Sequence, residues 1–137
     1  MSAALKSTVK LRVAAECPSH SLAEVSVRDV GFKIDEPVER GGTNLGPAPT
    51  DVAISALIGC TNTIGHKCAA MLGLNIGHLT ISAVCDFDRR GVTLSEEIDV
   101  PFVRIALRIQ TSEAVDDDDL GRLADEVAKF CPLAKLF

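Results

Sequence analysis

The chain has no tryptophan and no tyrosine, and five phenylalanines are its only aromatic residues. Proteins that hold single-stranded nucleic acid stack bases on rings and follow the phosphates with a positive groove. Here 14 basic residues face 19 acidic ones, a formal net charge of −5, so both rings and positive footprint are missing and no nucleic-acid partner is expected. Long apolar runs are missing too. The stretch VAISALIGC, residues 52–60, is about half the ~20 residues that span a bilayer. The N-terminus MSAALKSTVKLRVAAE alternates polar and apolar residues early, without the apolar segment of a signal peptide. No membrane partner and a cytoplasmic location follow as expectations. No CxxC pair occurs among the five cysteines, Cys17, Cys60, Cys68, Cys85 and Cys131, and an odd number fits a reducing compartment better than a secreted disulfide framework. A chain of 137 residues fits a single domain, over 1–137, and buries well over half of its unfolded surface without staples. Any disulfide in it is therefore expected to be transient and catalytic.

What is present is an alternation of short strands and two helical stretches. Residues 7–17, STVKLRVAAEC, have period two, with Val9, Leu11, Val13 and Ala15 on one side and Cys17 at the end of that apolar phase. A second strand is expected over 23–34, where Val25 and Val27 share one phase and Val30, Phe32 and Ile34 the other, as a bulge near Asp29 would produce. Residues 35–49, DEPVERGGTNLGPAP, have no periodicity and many breakers and read as a loop. Thr50 then stands as an N-cap with Asp51 in the first turn, where the helix dipole favours an acid. That helix reaches Leu72 and stops at Gly73. Its first half is apolar almost all round, which marks it as central and buried. A strand over 76–88 puts Leu79, Ile81, Ala83, Cys85 and Phe87 on one face. Another over 102–111 puts Val103, Ile105, Leu107 and Ile109 inward, with Arg104 and Arg108 outward. A helix from about Asp116 aligns Leu120, Leu123, Ala124, Val127 and Cys131 in one stripe, and Pro132 ends it. Strands, helix, strands, helix without a regular βαβ alternation predict an α+β fold with antiparallel sheets.

The cysteines divide by setting. Cys17 and Cys85 occupy apolar phases of strands, where a free cysteine packs as a small hydrophobe. Cys60 lies in the middle of the first helix, and Cys68 is eight residues further along it, a rise of about 12 Å against the ~7 Å limit between disulfide-bonded Cα atoms. Cys131, at a helix end before proline, has the other unusual setting. If Cys60 is a nucleophile it must be a thiolate, and about ten residues into a helix the macrodipole has faded. A cation must then come from elsewhere. The loop offers Arg40, with Glu39, Thr50 and Asp51 as groups that could orient its guanidinium. A metal site from Cys60, His66 and Cys68 is disfavoured, because that spacing spreads the side chains over more than one helix face. His20 and His78 read as surface residues, and the aspartates 116–119 as a charged helix start suited to the dipole.

The stretch DEPVERGGTNLGPAPTDVAISALIGC followed by FCPLAKLF resembles the OsmC/Ohr superfamily, the osmotically inducible and organic hydroperoxide resistance proteins. The shared pattern is a Gly-rich loop, a Pro-containing lead into a long helix with a mid-helix cysteine, and a Cys-Pro ending the second long helix. The resemblance implies an α+β fold, an intertwined homodimer with the site at the subunit interface, and reduction of organic hydroperoxides. In that scheme Cys60 is the peroxidatic nucleophile, Cys131 resolves it as a disulfide, and an external dithiol of lipoyl type regenerates it, with no bound cofactor and no metal. Where related branches place a glutamate ten residues before the nucleophile, this chain has Thr50, with Asp51 beside it. Two other readings on the same fold remain open: a non-enzymatic dimeric module binding an apolar small molecule or partner, and a thiol redox sensor.

Overall fold

The computed structural model describes residues 7–137. The first six residues, part of the stretch where no signal peptide is expected, lie outside the described residues. Two compact units divide the chain after Val52.

The first unit holds an antiparallel sheet of β1 (Ala14–Glu16), β2 (Ala23–Val27) and β3 (Val30–Ile34), in that spatial order. The expected strand over 7–17 is much shorter. Residues 7–13 belong to no regular element, and Val9, Leu11 and Val13 are 70%, 88% and 64% exposed. Their alternation makes them competent for pairing, but β2 has only five residues and its register with β1 stops at Ala14↔Ser26. Cys17 lies beyond the strand and is exposed, so it is not a core residue. The expected bulged strand over 23–34 is instead a hairpin. Val27 pairs with Val30, leaving Arg28 and Asp29 as a two-residue turn. Arg28 takes the positive φ, 57°, that such turns demand at their first central position and that glycine or asparagine usually supplies. The change of apolar phase marked the turn, and without a glycine it looked like a bulge.

Asp35 closes β3 and organises the loop that follows. It is fully buried, and its carboxylate accepts from the backbone N–H of Glu36 at 2.7 Å, of Leu45 at 3.1 Å and of Thr43 at 3.4 Å, and from the Thr43 hydroxyl. The Thr43 hydroxyl above all, with those backbone donors and Ser21, holds the carboxyl well below the usual carboxylate range against the opposing effect of burial. A group with a depressed folded-state pKa stabilises the fold above its unfolded pKa, and the contribution disappears as pH falls through the folded one. Asp35→Asn is accordingly expected to lower the thermal midpoint at pH 7. The gap from the parent should persist down to about pH 4 and narrow below it. Melting curves across pH 2–7 check this, and equal midpoints at neutral pH would remove Asp35 from the account.

Helix α1 (Pro49–Leu72) starts two residues earlier than the sequence indicates. Pro49 takes the first helical position, which tolerates its missing N–H, so Thr50 lies inside the helix and is not its cap. Asp51 reaches back instead, its Oδ2 accepting the Ala48 N–H at 3.1 Å, the return half of a capping box. At the other end Gly73 has φ 71°. The Leu74 N–H donates to the Ala69 carbonyl at 2.9 Å and the Gly73 N–H to that of Ala70 at 3.2 Å, a Schellman stop that needs a residue tolerant of left-handed φ.

The second unit, from Ala53 onward, pairs the rest of α1 with β4 (Leu79–Phe87), β5 (Phe102–Thr111) and α2 (Asp117–Phe130). In β4 the expected alternation holds at every position, odd residues half-buried and even ones exposed. A register shift at Asp86/Phe87 sets Phe102 opposite Phe87, with ring centroids 5.2 Å apart at 70°. Past that bulge the phase of β5 changes, so Val103 faces outward at 62% exposure, contrary to the simple alternation. Ile109 is also exposed, at 48%. Helix α2 is capped by Asp116, whose Oδ1 accepts the Asp119 N–H at 2.8 Å. Cys68, Ala69, Ile76 and Leu123 form the core, flanked by Ile64, Leu72, Leu79 and Val127. Within α1 only the stripe Leu57, Thr61, Gly65, Cys68 and Ala69 is buried. Val52, Ile54 and Ile58 are half-covered, so the all-round apolar first half is not all buried.

Candidate active site

The buried stripe of α1 faces β4, β5 and α2, and a cavity of about 400 Å³ opens among these elements. Leu57, Leu79, Leu107, Leu123 and Val127 supply its apolar lining, and no lining residue is charged. Polar groups enter the wall at Thr61 and Thr111. The Thr61 hydroxyl already donates to the Leu57 carbonyl one turn back, at 2.8 Å, so its polarity is spent within the helix. Cys131 is part of the wall.

Cys131 reaches that position because α2 ends there. Its N–H donates to the Val127 carbonyl at 2.9 Å, and its φ and ψ of −73° and 108° leave the helical region, as a residue before proline must. It is 1% exposed. Cys60 is half-buried on α1, and the Cys131 thiol is near enough to influence its ionisation, with both cysteines free. The two cysteines the sequence singled out are thus brought together, although 71 positions of chain numbering part Cys60 from Cys131.

Burial pushes the Cys60 thiol up, and the Cys131 thiol beside it pushes the same way, because two neighbouring thiols resist ionising together. Two groups pull in the opposite direction, the backbone N–H of Leu133 and the charge of Lys67. The sequence reading missed both. Lys67 is seven residues after Cys60, two turns along α1, and a helical side chain leans towards the N-terminus, which carries its charge back towards the thiol. The Leu133 amide had no signal beyond its place just after Cys-Pro.

Arg40 and Asp51 lie in the first unit. The Arg40 guanidinium Nε is held by Glu36 at 3.1 Å, a residue not among the orienting groups expected from sequence, and Asp51 serves the start of α1. His20 and His78 are exposed, and His20 Nε2 bonds the Gly41 carbonyl at 3.0 Å. Cys68 is buried and its helical neighbour His66 exposed, the separation of faces that argues against a shared metal. Among the described residues no three metal-ligating side chains cluster, and no helix is long and apolar enough to cross a membrane.

Comparison with known proteins gives the same architecture. Among solved structures, the OsmC-like protein of Mycoplasma pneumoniae superposes with a TM-score of 0.76 at 18% identity, over 93% of this chain and 86% of that one. An organic hydroperoxide resistance protein OsmC from Legionella pneumophila gives 0.70 at 14% identity, over 96% and 90%. The organic hydroperoxide resistance protein OhrB of Bacillus subtilis gives 0.61 at 17%, over 93% and 90%. At such identities the likeness is one of fold. No curated protein matches the chain in sequence. The sequence model of the OsmC-like protein family does match, over residues 42–137, a span holding both α1 and the Cys-Pro that ends α2, and the chain therefore belongs to the OsmC-like protein family.

Proposed function

We propose that the chain is a thiol-dependent peroxidase for organic hydroperoxides, with Cys60 as nucleophile and Cys131 as resolving thiol. The observation that carries this reading is the proximity of two free thiols, one of them in the wall of an uncharged apolar cavity. The Cys60 thiolate attacks the terminal oxygen of ROOH, the O–O bond breaks, and the departing alkoxide takes a proton to give ROH, leaving Cys60 as a sulfenic acid. The Cys131 sulfur then attacks Cys60, a Cys60–Cys131 disulfide forms, and the hydroxyl and the Cys131 proton leave as water. A dithiol reduces that disulfide through a mixed disulfide and is itself oxidised to a disulfide. The apolar lining suits an alkyl or acyl body, since burying it there leaves no charge unpaired.

In this reading the thiolate needs cationic support, because burial raises the Cys60 thiol. Lys67, whose charge already lowers the Cys60 thiol, supplies it. The working form is a homodimer, with a second copy covering the half-exposed apolar face of α1.

The raised Cys60 thiol favours a second reading, a module that binds an apolar small molecule without chemistry. One experiment separates the two. The reduced protein is treated with one equivalent of cumene hydroperoxide, alkylated, and digested without reductant for peptide mass spectrometry. A near-stoichiometric link between Cys60 and Cys131 is the expected result. Recovery of both as alkylated thiols would replace the peroxidase by the binding module.

A further inference from the structure

Three of the five phenylalanines form one chain of rings at the bulged end of the β4–β5 sheet. Phe87 meets Phe102 edge to face, and Phe102 meets Phe137 in the same way, with ring centroids 5.0 Å apart at 72°. The third ring comes from the segment that follows α2. That segment needs an anchor. Cys131 leaves the helical region, and Pro132 has no N–H with which to resume the helix. Beyond it the Lys135 N–H donates to the Pro132 carbonyl and the Leu136 N–H to that of Leu133, each at 3.2 Å. These bonds fix the shape of the turn but not its place against the sheet. Among the described residues no backbone-to-backbone hydrogen bond joins residues 132–137 to another element. Leu133 is half-buried, but Lys135 and Leu136 are exposed. Yet Cys131, where this turn begins, is almost wholly buried and lies with Ala134 in the cavity wall.

We propose that Phe137 is the positioning residue of Cys131: its ring, seated on Phe102, holds the Cys-Pro turn against the sheet and so keeps the Cys131 thiol in the cavity wall. The functional meaning of this latch rests on Cys131 being the resolving thiol of the proposed peroxidase. Edge-to-face rings attract beyond the area they bury, and Phe102 is itself backed by Phe87. Phe137 is 43% exposed and is not part of the core around Cys68, Ala69, Ile76 and Leu123. Its ring can therefore leave Phe102 in a local opening that spares the core. With the latch closed, Cys131 is held in one place. A turn free to swing would lower its effective concentration at a sulfenic acid on Cys60 and slow the formation of the disulfide.

The full chain is compared with Phe137→Ala, with Phe137→Tyr, which keeps a ring, and with Phe102→Leu, which removes the other side of the contact. Each reduced protein is treated with iodoacetamide at one mildly alkaline pH, and modification of Cys131 and Cys68 is followed in time by peptide mass spectrometry. Cys68 is buried in the core, so its rate reports any general loosening. Phe137→Ala is expected to speed modification of Cys131 about tenfold, as a local opening made about tenfold more frequent would, with Cys68 unchanged. Phe102→Leu should act in the same direction, and Phe137→Tyr should protect Cys131 as the parent does. Equal Cys131 rates in Phe137→Ala and the parent would overturn the proposal. So would a Cys68 rate that rises in step with that of Cys131, because the ring would then stabilise the fold as a whole and not the turn. With one equivalent of cumene hydroperoxide, the Cys60–Cys131 link should form about tenfold more slowly in Phe137→Ala than in the parent. Faster Cys131 alkylation in the variant, with no link formed even by the parent, would uphold the latch while sinking the peroxidase.

Discussion

Cys60→Ser is expected to abolish hydroperoxide reduction, lowering dithiol-supported turnover by roughly a thousandfold or more, the scale seen when a nucleophile is removed from a covalent mechanism. Serine is nearly the size of cysteine and Cys60 is only half-buried, so the helix should keep its place and the loss should be chemical. A hydroxyl does not ionise near neutral pH and its oxygen does not attack an O–O bond. The exposed Cys17 is the thiol most able to consume peroxide without catalysis, so Cys17→Ser serves as the control and should leave turnover unchanged. The assay follows loss of cumene hydroperoxide with a dithiol in excess. Continued turnover by Cys60→Ser would move the nucleophile elsewhere.

The parts of the fold that the sequence displayed are those fixed by neighbours in the chain. Gly73 stops α1, Asp116 caps α2, Pro132 ends it, and the period of two over Leu79–Phe87 states which side of β4 meets the core. Each depends on a few adjacent residues, and each is placed as expected. What was not legible depends on a partner far along the chain. Asp35 looks like the polar end of a strand, and only the return of Thr43 and Leu45 turns it into the buried centre of a loop. The bulge beside Phe87 becomes visible only when β5 is laid against it, which is why Val103 had the wrong side. The hairpin at Arg28 and Asp29 was missed for a different reason, since its turn residues are not those that tolerate positive φ without strain.

The candidate site divides the same way. Cys60 and Cys131 stood out one at a time by their positions on helices, and it was the family resemblance that joined them. The structure adds what neither position contains: the proximity of the thiols, the uncharged cavity, and the opposing influences of burial and Cys131 against Leu133 and Lys67. The arginine was harder to place. Its partner Glu36 precedes it by four residues, ahead of a short helical turn, Val38–Arg40, that the breaker-rich loop did not announce.

Cys131→Ser should divide the cycle. One equivalent of hydroperoxide per chain is expected to oxidise Cys60, because the first step needs only the nucleophile, and no Cys60–Cys131 link can follow. The sulfenic acid then accumulates and is trapped by dimedone, while steady-state turnover with a dithiol falls by roughly tenfold or more, limited to direct attack of the reductant on Cys60. Rescue by the other thiol of α1 is blocked by geometry. Cys68 is two helical turns away, about 12 Å along α1, and buried in the core. The ionisation of Cys60 gives an independent readout of the same variant. Burial raises that thiol and Cys131 raises it further, so replacing Cys131 removes the second influence and leaves the first. The alkylation midpoint of Cys60 should therefore move down in Cys131→Ser, and its first oxidation at neutral pH should be no slower than in the parent. A variant that keeps full dithiol-supported turnover would show that Cys131 does not resolve Cys60. If oxidation is lost altogether, Cys131 is needed for the first step, and the division of labour between the two thiols is wrong.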